Sequence, residues 1–346
     1  MSSTNPGMSN RWGIAVVALG ATCAFVGCGD GSESSSGDAD GLGGEASEAV
    51  GGTGSETGGT TGSGGTGIAD GAGGMGPAVS IELPPRRIAA GDDSTCAVVA
   101  DGIACWGTTA PVMPPDGDFV RVAVGPMDGC ALNPEGIAEC WRRLANTEPA
   151  ATLIDVSVGN WHACGLASDG SAVCWDSSSA ADPALLAPPP SDFVQISSGF
   201  AQTCAVRTDG GIECWGRDEL GILDAPSGEF AQVAVGIRHV CALRVDGAAV
   251  CWGGINGYGE ATAPSGVYVQ VSAGEQHTCA MTATGEVVCW GGGYAIDDAA
   301  PPSGQFVEIT AGNWHTCGLR ADATVECWGG TFPGDHDPPA DLRVSM

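Results

Sequence analysis

One pattern governs this chain: a small-residue segment ending in Gly, then a Cys, a turn and a Cys-Trp pair, seven times over. The clearest copy, V-S-A-G-E-Q-H-T-C-A-M-T-A-T-G-E-V-V-C-W-G, runs from Val271 to Gly291. The first cysteines are Cys96, Cys130, Cys164, Cys204, Cys241, Cys279 and Cys317; the Cys-Trp pairs begin at Cys105, Cys140, Cys174, Cys214, Cys251, Cys289 and Cys327. β-like sequence returning every 34 to 40 residues signals a propeller or solenoid, because one such unit cannot bury its own apolar face and must stack on the next.

Each repeat opens with an extended segment, as in Phe119–Gly125, Phe193–Gly199, Phe230–Gly236, Tyr268–Gly274 and Phe306–Gly312. Alternating larger and smaller β-favouring residues mark a strand, and Ala, Ser and Thr near its end suit a crowded place close to a propeller axis. This strand is therefore expected innermost. The next two strands form a hairpin whose register follows from its turn. Between Cys241 and Cys251, the loop Val245-Asp246-Gly247 reads as a type I turn closed by a left-handed residue, which Gly supplies without steric cost. Pairing then sets Arg244 against Ala248, Leu243 against Ala249, Ala242 against Val250 and Cys241 against Cys251. Opposed residues of an antiparallel pair have Cα atoms about 4.5 to 5.5 Å apart, which overlaps the range a disulfide needs. The expected bridges join Cys96–Cys105, Cys130–Cys140, Cys164–Cys174, Cys204–Cys214, Cys241–Cys251, Cys279–Cys289 and Cys317–Cys327. Gly136, Gly170, Gly210 and Gly285 repeat the loop, but repeat seven has Ala323 there. Repeat one is a residue shorter between its cysteines, which leaves its turn and bridge geometry open.

A cysteine framework of this kind belongs to an oxidising compartment. The N-terminus agrees: Arg11, then an apolar run from Trp12 to Gly27 ending at F-V-G-C, reads as an export signal. Small residues before Cys28 resemble the bacterial lipoprotein cleavage box, with Phe25 where Leu is usual. Residues 1–27 are thus expected to be a signal peptide and Cys28 to be lipidated; setting Cys23 and Cys28 aside leaves fourteen of the sixteen cysteines, two per repeat. Residues 28–77 are Gly, Ser, Thr, Asp and Glu with almost no large apolar side chain, the composition of a disordered tether. Its reach is roughly 40 Å. Residues 78–346 are left for the repeat domain. The expected location is the bacterial outer membrane or cell surface, with a periplasmic or secreted protein as the alternative.

All twelve basic residues are Arg, and the net charge is -29. Such a field repels phosphate backbones, so nucleic acid is not an expected partner. A P-loop needs a Lys that this chain lacks. There is no H-E-x-x-H, no Ser/His/Asp set stands out, and the acidic residues are too scattered to nominate an acid and base pair. No catalytic residue, cofactor or metal is expected. His162, His239, His277 and His315 share one repeat position, with Ser94, Asp128 and Gln202 in the others; hydrogen bonding between strands suits them better than a metal ring. The tryptophans of the Cys-Trp pairs point away from their cysteines and are expected to pack between blades. Asp-Gly turns such as Ser168-Asp169-Gly170 lack the spacing of a sialidase Asp-box. Contacts with a partner are expected from variable loops: Trp161 and Trp314 as aromatic anchors, with Arg142 and Arg143, Arg217, and Tyr258.

Val271–Met281 and Ile309–Leu319 resemble the signature of the regulator of chromosome condensation repeat, and Trp215–Leu223 is similar to that repeat's Trp-Gly and Gly-rich tail. The resemblance covers residues 84–336 and implies an all-β, seven-bladed β-propeller. Its short blades look like those of bacterial relatives such as the propeller-type β-lactamase inhibitors. It also implies protein binding on a propeller face. Nucleotide exchange on a small GTPase is not carried over, since this chain reads as exported and acidic and has no insertion to act as a wedge. The expectation is a monomeric, lipid-anchored, non-catalytic module that recognises a protein or glycan. An envelope scaffold or periplasmic protein inhibitor is the alternative; a propeller hydrolase or lyase would need carboxylates, His or Tyr converging on the axis. The ring is expected to close either through Asp341–Met346, an eighth copy of the innermost strand completing blade one, or through Ser80–Leu83 pairing with the last blade.

Overall fold

The computed structural model describes residues 85–107, 114–176, 182–218, 220–292, 300–330 and 337–346. Two compact units divide the chain, residues 1–70 and 71–346, and the described residues all belong to the second. The signal peptide, Cys28, the tether and Ser80–Leu83 lie outside them. Among the described residues no helix is long and apolar enough to cross a membrane.

Seven three-stranded antiparallel sheets follow one another along the chain. Blade one is Ile88–Ala90, Ser94–Val99 and Gly102–Gly107; blade two is Arg121–Val124, Gly129–Leu132 and Ala138–Trp141; blade three is Leu153–Val158, Ala163–Ala167 and Ala172–Trp175. Blade four is Phe193–Ser198, Gln202–Arg207 and Ile212–Gly216, and blade five is Phe230–Val235, Val240–Arg244 and Ala249–Trp252. Blade six is Gln270–Ala273, His277–Met281 and Val287–Gly291, and blade seven is Glu308–Ala311, His315–Leu319 and Val325–Gly329. First strands neighbour first strands round an axis, and that of blade seven returns to that of blade one. This is a seven-bladed β-propeller.

The hairpin register is the one its turn dictates. Leu243 faces Ala249, Ala242 faces Val250 and Cys241 faces Cys251, and the Arg244 amide donates to the Ala248 carbonyl at 2.9 Å. In every blade the two cysteines are directly opposed and bridged, with Cα atoms 4.0 to 4.1 Å apart. Blade one keeps its bridge by shortening its loop: Val99 faces Gly102, leaving only Ala100 and Asp101 between them.

Because Trp follows Cys, it leaves the opposite face of the strand and meets the blade before. Trp215 packs with the Cys164–Cys174 bridge, Trp252 with Cys204–Cys214, and Trp290 with Cys241–Cys251. The circle closes with Trp106 against Cys317–Cys327. Each disulfide thus staples its own blade and floors the next one's tryptophan.

The loop-closing glycines 136, 170, 210, 247 and 285 have φ between 79° and 88°, and Ala323 holds the same left-handed conformation at 69°. A side chain costs roughly 1 to 2 kcal/mol there. Ala323→Gly should therefore stabilise the propeller by about 1 kcal/mol, seen as a melting temperature raised by roughly 2 to 4 °C; an unchanged or lower value would contradict the assignment.

Ring closure uses both ends of the domain in one composite strand. Val344 donates to the Ala323 carbonyl at 3.1 Å, the bond Phe306 makes to Gly285 one blade earlier. Ser345 donates to Val98, as Val307 does to Leu319. The same strand is then continued by Ile88–Ala90, paired with Thr95–Ala97. Leu342 and Val344 are buried with Ile88, Trp106 and Leu319. The C-terminal segment completes blade one, but with two residues rather than a full strand, since residues 88–90 already hold the inner half.

At the inner end of each first strand stands a Gly, and the seven form a closed circle. A Cβ on Gly91, Gly125, Gly159, Gly199, Gly236, Gly274 or Gly312 would lie 2.2 to 2.5 Å from the carbonyl oxygen of the next glycine in the series, that of Gly312 meeting Gly91. Backbone cannot yield as a side chain can. Gly274→Ala, whose Cβ would also strike the His277 ring at 2.5 Å, should cost on the order of 3 kcal/mol. The measurement is a thermal melt, with a fall of about 6 to 12 °C expected.

Candidate functional site

First strands that point their edges at an axis leave amide groups without strand partners, and buried amides must be paired. Side chains from the preceding blade supply the bonds. Gln195 accepts from Val233 N (2.8 Å) and donates to Val233 O (3.0 Å); Gln232 does the same for Val271 and Gln270 for Ile309. Glu308, in the same position of blade seven, accepts from Ile88 and Arg87. Two residues on, Ser157, Ser197, Ser272 and Thr310 accept from amides of the next blade. Blades one, two and three carry Arg87, Arg121 and Asp155 where blades four to six have Gln. The Arg86 guanidinium donates to the Val156 carbonyl at 3.0 Å and to the Ile196 carbonyl at 2.7 Å, to which Gln195 Nε2 also donates.

The axial cavity inside these rings, about 140 Å³, is lined by Arg86, Gln232, Gln270, Glu308 and the hydroxyl residues. Burial raises the Glu308 carboxyl to about 7 against the two amide bonds it accepts. The histidines stand away from the axis, between blades. Nε2 of His162, His239, His277 and His315 lies 2.7 to 2.8 Å from a Thr hydroxyl of the next blade in the ring, and that hydroxyl is 3.4 to 3.5 Å from a disulfide sulfur. Burial lowers His162 and His239 to about 4 and His277 to about 3, so these rings are neutral at pH 7. Among the described residues no group of three or more His, Cys, Asp and Glu could hold a metal.

The face at the glycine circle is different. Chain direction puts the loops after the first strands and those after the third strands together there. Trp161 is 48 % exposed, yet held: its ring meets Phe200 edge-on at 6.3 Å and the Arg143 guanidinium at 5.3 Å. Arg143 is itself fixed, donating to Asp128 Oδ2 at 2.7 and 3.0 Å and to Asn160 O at 2.7 Å. Asp128 is buried and also accepts from the Arg143 amide. Exposed Met127 lies on the same side, next to Pro126.

The residues singled out in the sequence do not form one cluster. Arg143 positions Trp161 and is already engaged; Arg142, at φ 65°, donates to the Met127 carbonyl. Trp314 is half-buried, with its carbonyl tied to Gly330 N, so of the two extra tryptophans Trp161 is the one that projects. Arg217 bonds Asp182 at 2.8 Å, holding that carboxyl below its usual range. Tyr258, 48 % exposed, stands beside exposed Ile255 on the loop after blade five. Phe200, Ile237 and Pro126, which line the axial mouth of about 80 Å³, were not apparent. A signal was present: each directly follows an axial Gly, at the one position where the repeats read Asp92, Pro126, Asn160, Phe200, Ile237, Glu275 and Asn313.

Residues 230–260 and 268–294, blades five and six with their following loops, match the regulator of chromosome condensation (RCC1) repeat. Two of the seven blades thus carry a match to this repeat. No curated protein matches the chain in sequence. Among solved structures, the ectodomain of the Physcomitrella patens receptor kinase CR4 is 24 % identical, with 72 % of this chain and 74 % of that one covered and a TM-score of 0.60. Yeast RCC1 (Prp20) bound to Kap60 is 14 % identical over 77 % of this chain and 86 % of that one, at a TM-score of 0.56. Prp20p of Saccharomyces cerevisiae, described with its binding to Gsp1p and histones, is 16 % identical over 77 % and 88 %, also at 0.56. At these identities the likeness is one of fold. The propeller here has disulfide-stapled blades of three strands each.

Proposed function

We propose that this RCC1-repeat propeller is a non-catalytic recognition module whose glycine-circle face binds a protein or glycan partner. The observation that carries the reading is a contrast between two places. In the axial cavity the polar side chains are used in bonds between blades, whereas on the glycine-circle face Trp161 is exposed and held by Phe200 and Arg143. A large side chain fixed before contact loses little entropy on binding, which is how interface anchors work. The fold's neighbours support the choice, since the RCC1 propellers of yeast are described with protein partners. We place the module outside the cytoplasm, lipid-anchored at Cys28 on the Gly/Ser/Thr-rich tether, as a monomer; the disulfides and the leader sequence support that placement.

The test is an array of envelope proteins and glycans from the source cell, probed with the wild-type propeller and with Trp161→Ala. A partner that binds the first and loses about tenfold or more with the second is expected. Equal binding by both, or turnover of an arrayed substrate, would overturn the reading. Protease shaving of intact cells tests location: release of the propeller by cleavage within residues 28–77 is expected, and protection until lysis would replace the surface assignment with a periplasmic scaffold or inhibitor.

A further inference from the structure

The seven disulfides are alike in register, but not in what the next blade sets against them. The residue just before each blade's first cysteine faces the bridge of the blade before; in chain order it is Thr95, Gly129, Ala163, Thr203, Val240, Thr278 and Thr316. Blades three, five, six and seven therefore have a hydroxyl at their first cysteine, 3.4 to 3.5 Å from Sγ of Cys164, Cys241, Cys279 and Cys317. The same four blades, and no others, carry His two residues before that cysteine; where the next blade offers Gly129, Ala163 or Val240, the position holds Ser94, Asp128 or Gln202. Histidine, hydroxyl and sulfur thus occur as a set. Proton counting orients it. A disulfide sulfur only accepts. Nδ1 of His162, His239 and His277 is buried with no hydrogen-bond partner among the described residues, and a buried N–H is left unpaired more rarely than a bare acceptor. The imidazole proton is therefore on Nε2, donated to the Thr oxygen, and the Thr O–H is turned to sulfur. Thr203 also meets Ser198 Oγ at 3.0 Å and Thr278 the Glu260 carbonyl at 3.3 Å; the Thr316 and Thr95 hydroxyls have His and sulfur alone among the described residues.

We propose that these four bridges are thiol-capture sites, at which a low-molecular-weight thiol becomes bonded to Cys174, Cys251, Cys289 or Cys327. These second cysteines are half-buried, whereas their partners are fully buried, so an external thiolate meets the second sulfur. Its attack forms one S–S bond to the second cysteine and breaks the bridge, and the electron pair of the broken bond stays on the first cysteine as a thiolate. No oxidant is consumed. Exchange is faster the lower the pKa of the leaving thiol, and a hydrogen bond donated to the charged form lowers it. The leaving sulfur is the one that the Thr O–H already faces. In blades one, two and four Gly129, Ala163 and Val240 have no hydroxyl to give, so the same molecule carries its own controls. Capture of a thiol is a property of the blade edges and is independent of the recognition face.

The test exposes the native full chain to excess glutathione, quenches with N-ethylmaleimide at intervals and locates both groups by peptide mass mapping. Glutathione is expected on Cys174, Cys251, Cys289 and Cys327, with maleimide on the cysteine each has released. These products should form at least about fivefold faster, the worth of one hydrogen bond, than any from Cys96–Cys105 and Cys204–Cys214, whose second cysteines are also half-buried. Thr316→Val, which keeps the shape and removes the hydroxyl, should slow opening of Cys279–Cys289 about fivefold and leave the other bridges unchanged; Thr316→Ser should keep the original rate. A melting curve checks the fold of both variants. If the hydroxyl served packing alone, its loss would loosen the bridge and speed its opening, so the direction of the change separates the two roles. Equal rates at all the bridges, glutathione on the first cysteines, or a Thr316→Val chain that opens as fast as the original or faster would overturn the proposal.

Discussion

Reduction of the seven disulfides in denaturant, followed by dilution into reducing buffer, should leave a chain without native tertiary structure. Each bridge closes a loop of 9 or 10 residues in sequence separation, worth about 2 to 3 kcal/mol in the chain-entropy model. Seven such terms, roughly 15 to 20 kcal/mol, exceed the 5 to 15 kcal/mol by which a domain is usually stable. The loss is also felt between blades, because each bridge floors the next blade's tryptophan. In native buffer the same reductant should act more slowly: the first cysteine of every pair is at most 2 % exposed, which leaves attack to the second, half-buried in six of the seven pairs. Near-UV circular dichroism and thiol titration read both arms. A fully reduced chain that keeps the native tryptophan spectrum would show that packing alone holds the blades. Removing one pair, Cys204→Ala with Cys214→Ala, should cost about 3 kcal/mol.

The second large effect is acid lability. His162, His239 and His277 have folded pKa values of about 4, 4 and 3 because they are buried, against about 6.5 unfolded. Below pH 6.5 the unfolded chain takes up these protons first, so stability is complete above that pH and falls as pH drops. Each histidine contributes about 1.4 kcal/mol per pH unit over its window. Glu308 acts in the opposite sense: raised to about 7, it binds a proton more tightly in the fold, and its contribution is lost as pH rises from 4.5 to 7. Between pH 4.5 and 6.5 the net is two protons, about 2.7 kcal/mol per unit. A denaturant titration at pH 6.5 and 4.5 should differ by on the order of 5 kcal/mol. His239→Gln, which keeps a donor near Thr278, should flatten the slope by one proton. A stability that does not change over this range would mean the imidazoles are hydrated or charged in the fold.

The parts of this fold legible in the chain were the local ones. Cys241 and Cys251 could be paired because a three-residue turn sets the register of everything it joins, and the Cys-Trp order alone sends the two side chains to opposite faces. The same logic marked Ala323 as out of place. What was not legible depends on neighbours roughly 40 residues away or more. Gln195, Gln232 and Gln270 look like ordinary strand residues until the next blade's amides are seen at their tips. Arg86 has no repeat position at all, yet caps two blades. The clasp was half visible: Val344 and Ser345 do extend blade one, but Ile88–Ala90 hold the inner half of that strand. At the candidate site Trp161 could be named, whereas its fixing by Asp128 through Arg143 could not. Asp128 departs from the histidine position of the repeat, and a departure acquires meaning only when its partner is known.

The most direct test of the account is a photo-cross-linking amino acid placed at position 161, on the glycine-circle face, and separately at position 137, where exposed Ile137 lies in a hairpin turn at the opposite end of the strands. Both proteins are made in the source cell and irradiated there. The account predicts a discrete protein adduct at 161 that is absent at 137. Adducts at 137 alone, or the same adducts at both, would show that the glycine-circle face is not where this propeller meets its partner.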